Sequence, residues 1–393
     1  MEKTWRWFGR KDAVTLDMMR QIGVEGVVTS LHEIPNGEIW QYEDIRRLQE
    51  QIASYGMVWS TVESLPVSES IKYGGPDRDK LIDNYIKSLE NLGKAGIHTV
   101  CYNFMPVIDW IRTDLSHPLG DGTSTLYFDL SRLAYFDIYV LGRENAEADF
   151  PEETVKAAEE LSRTITRKEI DDLIDTIIVK TQGFINGNID ENDNDPVNKF
   201  KSLLALYKGI SKDQLRLNLQ YFLKRIMPVC DEYGINMCIH PDDPPMPVFG
   251  LPRIVCDKDD IEWLLGCVDN FHNGLTFCAG SLSAGGQNDI VPMAKCFVSR
   301  THFVHLRSCD ILCGGNFIEA PHTGGRADLV ELVRIFEKEP RNIPMRVDHG
   351  RTMLGDENGG YNPGYSFHGR MLAFGQMEGI MAAVRNEINN NII

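Results

Sequence analysis

Eight short apolar runs, each separated from the next by room for a helix, set the strongest limit on how this chain can fold. They are TWRWFG (4–9), GVVTSL (26–31), VWSTVES (58–64), HTVCYNFM (98–105), INMCIHP (235–241), GLTFCAG (274–280), THFVHLR (301–307) and PMRVDHG (344–350). Each has the length and the β-branched or aromatic content of a buried strand. Amphipathic segments at 42–55, 77–95, 257–271 and 327–338 lie between them. Gly56, Gly96, Gly234 and Gly274 stand where glycine would cap a helix C-terminus. Strand–helix alternation repeated eight times predicts an α/β fold, a (β/α)8 TIM barrel.

One connection is far too long for a barrel loop. Between the fourth and fifth runs the chain is polar and carries two helix starts. One is at Pro151, with Glu152 and Glu153 in the first turn; the other is a capping box, Thr166 with Glu169. A second capping box, Ser211 with Gln214, opens the helix leading to the fifth strand, and NGNIDENDNDP (186–196) reads as a loop. The expected organisation is a barrel over 1–114 and 212–393 with a helical insertion, 115–211, between strands four and five, on the rim where it can cover a site. At 393 residues the chain is long enough for about two to three domains, and one barrel with an insertion also accounts for that length.

Four successive runs in the second half end on a metal-type ligand: His240 in INMCIHPDD, Cys278 in LTFCAGS, His305 in THFVHLRS and Asp348 in MRVDHGR. Each stands where a strand ends and its loop begins, the barrel rim on which catalytic groups collect. A single histidine or cysteine there is ordinarily structural. Two imidazoles, a thiolate and a carboxylate from four consecutive strands form a shell for a divalent zinc-, iron- or manganese-type ion rather than calcium. A purely structural tetrahedral zinc is the competing reading. Against it stand His349, beside Asp348, and Arg307, two residues past His305 on the same strand face. Arg351, Asp242 and Asp243 are also close to ligands in sequence, and His32, Glu63 and Asn103 stand on the early rim. The last loop, 347–370, is glycine-rich and offers Tyr361, Tyr365, His368 and Arg370. An imidazole beside a metal can move a proton near neutral pH, which favours His349.

The net charge of −17 argues against nucleic acid as a partner, since binding it needs a basic face. Nine cysteines without a paired pattern fit a reduced interior, the first residues lack a secretory apolar region, and no run approaches the ~20 residues of a membrane span. A cytoplasmic protein without a membrane partner is expected.

The motifs WRWFG, GVVTSLHEIPNGEIW, VWSTVES, TVCYNFMPVIDWIRTDL, HPDDPP, GLPRIV, FCAGS, HLRS, RVDHGR and NPGYS occur in this order along nearly the whole chain. In them the chain closely resembles the mannonate dehydratase family. The resemblance implies a barrel of the xylose-isomerase-like group and a Mn2+ or Fe2+ cofactor. The implied reaction is dehydration of D-mannonate to 2-keto-3-deoxy-D-gluconate in hexuronate breakdown. It also implies metal ligands at His240, Cys278, His305 and Asp348 and an acid/base pair at His349 and Tyr365. Cys309 and Cys313 lie in a segment that departs from the family pattern. In the expected chemistry His349 protonates the leaving hydroxyl and Tyr365 takes the α-proton, or the reverse. Arg307, then Arg351, are the expected carboxylate partners, and His32, Asn103 and Asp242 the further substrate contacts. A homo-oligomer through the insertion is expected. Two other functions fit the same residues: a metal-dependent sugar isomerase or epimerase, and a non-catalytic binding protein stabilised by zinc.

Overall fold

The computed structural model describes residues 1–183, 189 and 192–390. Its strands, in chain order, are β1 Glu2–Arg6, β2 Gly26–Thr29, β3 Val58–Glu63, β4 Thr99–Tyr102, β5 Asp114–Pro118, β6 Ser124–Phe128, β7 Asn236–Ile239, β8 Asn273–Cys278, β9 Thr301–Leu306, β10 Cys309–Ile311, β11 Phe317–Glu319 and β12 Pro344–Val347. Each of the eight apolar runs of the sequence overlaps a barrel strand. They close in the order β1-β12-β9-β8-β7-β4-β3-β2, with every neighbouring pair parallel. Helices cover the outside, and those at Tyr42–Ala53, Arg78–Lys94, Lys258–Cys267 and Leu329–Glu337 occupy the amphipathic segments.

The period of two along each strand explains both the core and the site. On β9, Val304 and Leu306 join the apolar layer under the helices, whereas Phe303 packs with Val28, Cys101 and Cys238 in a separate cluster. Those four residues come from strands around the ring, so they meet only through its interior; the lumen is plugged, as such barrels require. Two residues farther along, the same inward faces reach the open end: Cys238 is followed by His240, Thr276 by Cys278, Phe303 by His305 and Arg346 by Asp348.

Gly56, Gly96 and Gly234 adopt the left-handed conformation (φ 77°, 78° and 65°) of glycines that end helices. Gly274 does not cap a helix, contrary to expectation. It lies inside β8, and a Cβ there would come within 2.6 Å of the Arg300 carbonyl oxygen. Its role is close strand packing.

The segment between β4 and β7 contains the helices Glu152–Thr164 and Arg167–Ile174, the second opened by the complete Thr166–Glu169 capping box. At Ser211 only half of the expected box forms. The Ser211 hydroxyl accepts from Gln214 N, but the Gln214 side chain donates to Asn218. Nor is the insertion helical throughout. It opens on the hairpin β5–β6, which joins β10–β11 in a four-stranded antiparallel sheet of order β10-β11-β6-β5. The β5 sequence DLSHP lacks the apolar alternation that would reveal a strand. Within the loop-like stretch 186–196, residues 186–188, 190 and 191 lie outside the described residues, and 192–195 are turn and coil. Among the described residues, no helix is long and apolar enough to cross a membrane.

A second apolar core joins the insertion to the barrel rim. Phe249, in the loop after β7, meets the edges of Phe136 and Phe200 with ring centroids 5.9 and 5.5 Å apart. Phe249→Ala should lower the unfolding free energy by about 3–5 kcal/mol, the usual cost of emptying such a site. A denaturation midpoint equal to that of the parent would show that this core does not hold the insertion.

Candidate metal centre and active-site cavity

The side chains at the ends of β7, β8 and β9 converge. One ligand atom from each of His240, Cys278 and His305 lies within 4.8 Å of the other two. His240 Nε2 is 3.2 Å from His305 Nδ1. Asp348, just past β12, brings Oδ2 to 3.6 Å from Cys278 Sγ and 3.9 Å from His305 Nδ1. His240 Nδ1 is 2.7 Å from the Pro241 carbonyl oxygen. It must donate its proton there, which turns Nε2 to the cluster, where a bound cation would take the place of the Nε2 proton.

The protonation states follow from the same packing. Burial alone would raise the Cys278 thiol, but the charges of Arg307 and His240 outweigh it and hold the group well below its usual range. Cys278 is therefore a thiolate, the form that binds cations. Burial alone would lower His240, yet the Cys278 thiolate drives it up to about 10. Asp348 is likewise held well below the usual carboxylate range: Arg346, His349 and Arg307 overcome its burial. Two imidazoles, a thiolate and a carboxylate, buried and drawn together by opposite charges, fit a divalent transition-type ion.

A cavity of about 600 Å³, its open mouth included, lies directly over the cluster. Phe8, Asn103, Trp110, His349 and Tyr365 help to line it. His349 is buried between aromatic rings, with centroids 5.1 Å from Trp110 and 5.2 Å edge-on from Tyr365. Its Nδ1 is 3.1 Å from Glu319 Oε1, and its Nε2 is 3.8 Å from Asp348 Oδ1. The Tyr365 hydroxyl donates to Asp348 Oδ1 over 3.3 Å. Burial and the Asp348 charge both push this phenol up, so it keeps its proton at neutral pH.

Beneath these groups runs a chain of buried ion pairs. Arg307 donates to Asp348 (2.8 Å), Glu319 (2.5 Å) and Asp243 (2.8 Å). Arg112, from the β4–β5 connection, bridges Asp243 and Glu319. Arg346 grips both oxygens of Glu63 and also donates to Asp348. The carboxylates stay ionised despite burial, which alone would raise them. For Glu63, the charges of Arg346, His305 and Arg6 bring the value down to about 2.

His240, Cys278, His305, Asp348, His349, Tyr365 and Asn103 are thus gathered at one place, and Arg307 reaches it as a clamp on carboxylates. Three of the expected substrate contacts lie elsewhere. Arg351 pairs with Asp121 at the surface (2.9 Å). His32 lines a neighbouring hollow with Trp7 and Arg10, and burial lowers its imidazole to about 3. Asp242 turns away to accept from the backbone of Ile254 and Val255. The aspartate that faces the cavity is its neighbour, Asp243. Among the other last-loop candidates, His368 bonds to Asp356, and Arg370 donates to the Tyr365 and Arg6 carbonyls.

Glu319, Arg112 and Arg346 were not singled out by the sequence. Arg346 had a readable signal, since it stands two residues before Asp348 on one strand face. Glu319 had none: it sits in the three-residue strand β11, too short to show an apolar period.

The family profile for D-mannonate dehydratase (UxuA) matches residues 1–391. The chain is 42% identical over 398 residues to mannonate dehydratase of Marinomonas sp. (strain MWYL1), covering 99% of this chain and 100% of that one. It is 40% identical over 394 residues to mannonate dehydratase of Chromohalobacter salexigens, covering 98% and 99% of the two. It is also similar to the crystal structure of mannonate dehydratase from Streptococcus suis serotype 2. That match has a TM-score of 0.79 at 32% identity, over 99% of this chain and 96% of the other.

Proposed function

This chain belongs to the D-mannonate dehydratase family, and on that premise we propose how its cavity performs the reaction. The enzyme is a hydro-lyase. It removes water from D-mannonate to give 2-keto-3-deoxy-D-gluconate. The observation that carries the mechanism is the convergence of His240, Cys278 and His305 under a cavity walled by His349 and Tyr365.

Dehydration needs a proton taken from C2 and the hydroxyl expelled from C3. The C2 proton is weakly acidic because the adjacent carboxylate already carries charge. His240, Cys278, His305 and Asp348 would hold a divalent ion, Mn2+ or Fe2+. Such an ion supplies Lewis-acid stabilisation of the charge that builds on the substrate oxygens.

His349 takes the C2 proton on Nε2. Glu319 supports that role: the carboxylate is ionised, so Nδ1 must donate to it, which fixes the tautomer with a basic Nε2 turned to the cavity. Tyr365 is the acid. Its phenol keeps a proton that it can pass to the departing C3 oxygen, so the hydroxyl leaves as water. The C2–H electrons first pass into the carboxylate as an enediolate, and then form the C2–C3 double bond as the C3–O bond breaks. The resulting enol tautomerises to the 2-keto acid, and solvent resets both side chains. Of the two assignments the sequence left open, this is the one in which neither group must work against its surroundings. Trp110 and Phe8 exclude water around the pair.

The same reading makes the protein a cytoplasmic homo-oligomer that acts on a small sugar acid, without nucleic acid or membrane as a partner. The net charge of −17 supports the part that concerns nucleic acid.

The test is turnover on a panel of hexonates by protein stripped of metal and reloaded with single ions. D-mannonate should yield a 2-keto-3-deoxy acid only after reloading, with Mn2+ or Fe2+ most effective. Interconversion of epimers or of aldose and ketose, without loss of water, would contradict the reading.

A further inference from the structure

We propose that Arg6 is the carboxylate anchor of the substrate; this rests on the dehydratase reading and identifies the part of the site that selects a sugar acid over a neutral sugar. Arg6 ends β1 and lines the cavity, and its side chain is only 7% exposed. Its Nη1 is buried and has no hydrogen-bond partner. The nearest carboxylate oxygen, Glu63 Oε2, is 3.8 Å away, and both Glu63 oxygens already accept from Arg346 at 2.8 and 2.9 Å.

The other two arginines that line the cavity, Arg307 and Arg346, are committed. Arg307 is held by Asp348, Glu319 and Asp243, Arg346 by Glu63 and Asp348, and Arg351 lies away at Asp121. A buried guanidinium N–H left without an acceptor is costly, and it persists where another molecule supplies one. Its planar fork suits a carboxylate, which can accept two parallel hydrogen bonds. The position is held from both sides: the guanidinium carbon lies 4.9 Å over the Phe8 ring, and Arg370 donates to the Arg6 carbonyl oxygen. Phe8 in turn meets Tyr365 edge-on at 4.8 Å. A carboxylate on Arg6 would thus keep C2 and C3 within the space walled by Tyr365 and His349.

The test compares the metal-loaded parent with Arg6→Gln and Arg6→Lys. It measures kcat and KM on D-mannonate and, by calorimetry, the affinity for D-gluconate, an epimeric anion. Losing a charge-assisted bidentate contact should raise KM and weaken D-gluconate binding by about a hundredfold in Arg6→Gln, with metal content unchanged. Arg6→Lys, which keeps the charge but not the fork, should fall between. A folded, metal-replete Arg6→Gln with KM and D-gluconate affinity within about threefold of the parent would overturn the proposal. If Arg6→Gln does not fold, parental values in Arg6→Lys overturn it equally, since only the fork separates the two. A parent that binds D-gluconate through Arg6 but leaves D-mannonate untouched would sink the dehydratase reading and leave this subsite standing.

Discussion

His349→Asn should retain its metal and lose turnover by about a hundredfold or more, the usual contribution of a positioned acid or base. The asparagine amide can still donate to Glu319, so the buried carboxylate keeps a partner and the ion-pair chain below it stays intact. What disappears is the basic nitrogen opposite, 3.8 Å from Asp348 Oδ1 and facing the substrate space. The loss should therefore fall on kcat, with KM little changed. It should also be matched by loss of exchange of the C2 proton with deuterated solvent, a step that needs a base but no departing hydroxyl. Near-parental kcat, or intact exchange, would remove His349 from the mechanism.

Cys278→Ser should act on the metal first. The thiolate is the softest donor in the cluster, and it is ionised because Arg307 and His240 overcome the effect of burial. A serine hydroxyl in the same place keeps its proton and offers a neutral, harder oxygen. Losing a partner that merely supports a ligand costs metal affinity roughly 10–100-fold, so losing the ligand itself should reach at least the upper end of that range. Metal content after dialysis against a competing chelator reads this directly, and excess metal should restore part of the activity. Unchanged metal content would rule Cys278 out as a ligand.

The two variants together separate chemistry from metal binding, which is why the legibility of each residue matters. The ligands could be read because apolar strands announce themselves and because each ligand ends one. Period two then carries every inward face from the lumen plug to the rim, as Phe303 to His305 and Cys238 to His240 illustrate. Glu319 could not be read, because its importance comes from pairing across the molecule. The strand β11 reaches His349 only because β10–β11 joins the β5–β6 hairpin, and neither hairpin carries a strong apolar pattern. Asp242 and Asp243 show a finer limit. They are adjacent and chemically identical, and only the local backbone decides that Asp242 turns to the amides of Ile254 and Val255 while Asp243 faces Arg112 and Arg307. Arg307 was readable as a rim residue but not as a clamp on three carboxylates. Because Arg307 is saturated, the substrate carboxylate is left to Arg6.

The proposed chemistry depends most on a single ion held by side chains from four consecutive barrel strands. Anomalous diffraction at the absorption edge of the loaded metal tests that directly. The predicted result is one peak within about 2.0–2.4 Å of His240 Nε2, His305 Nδ1, Cys278 Sγ and an Asp348 oxygen. A peak elsewhere, or a loaded and active enzyme with no peak at this cluster, would contradict the account.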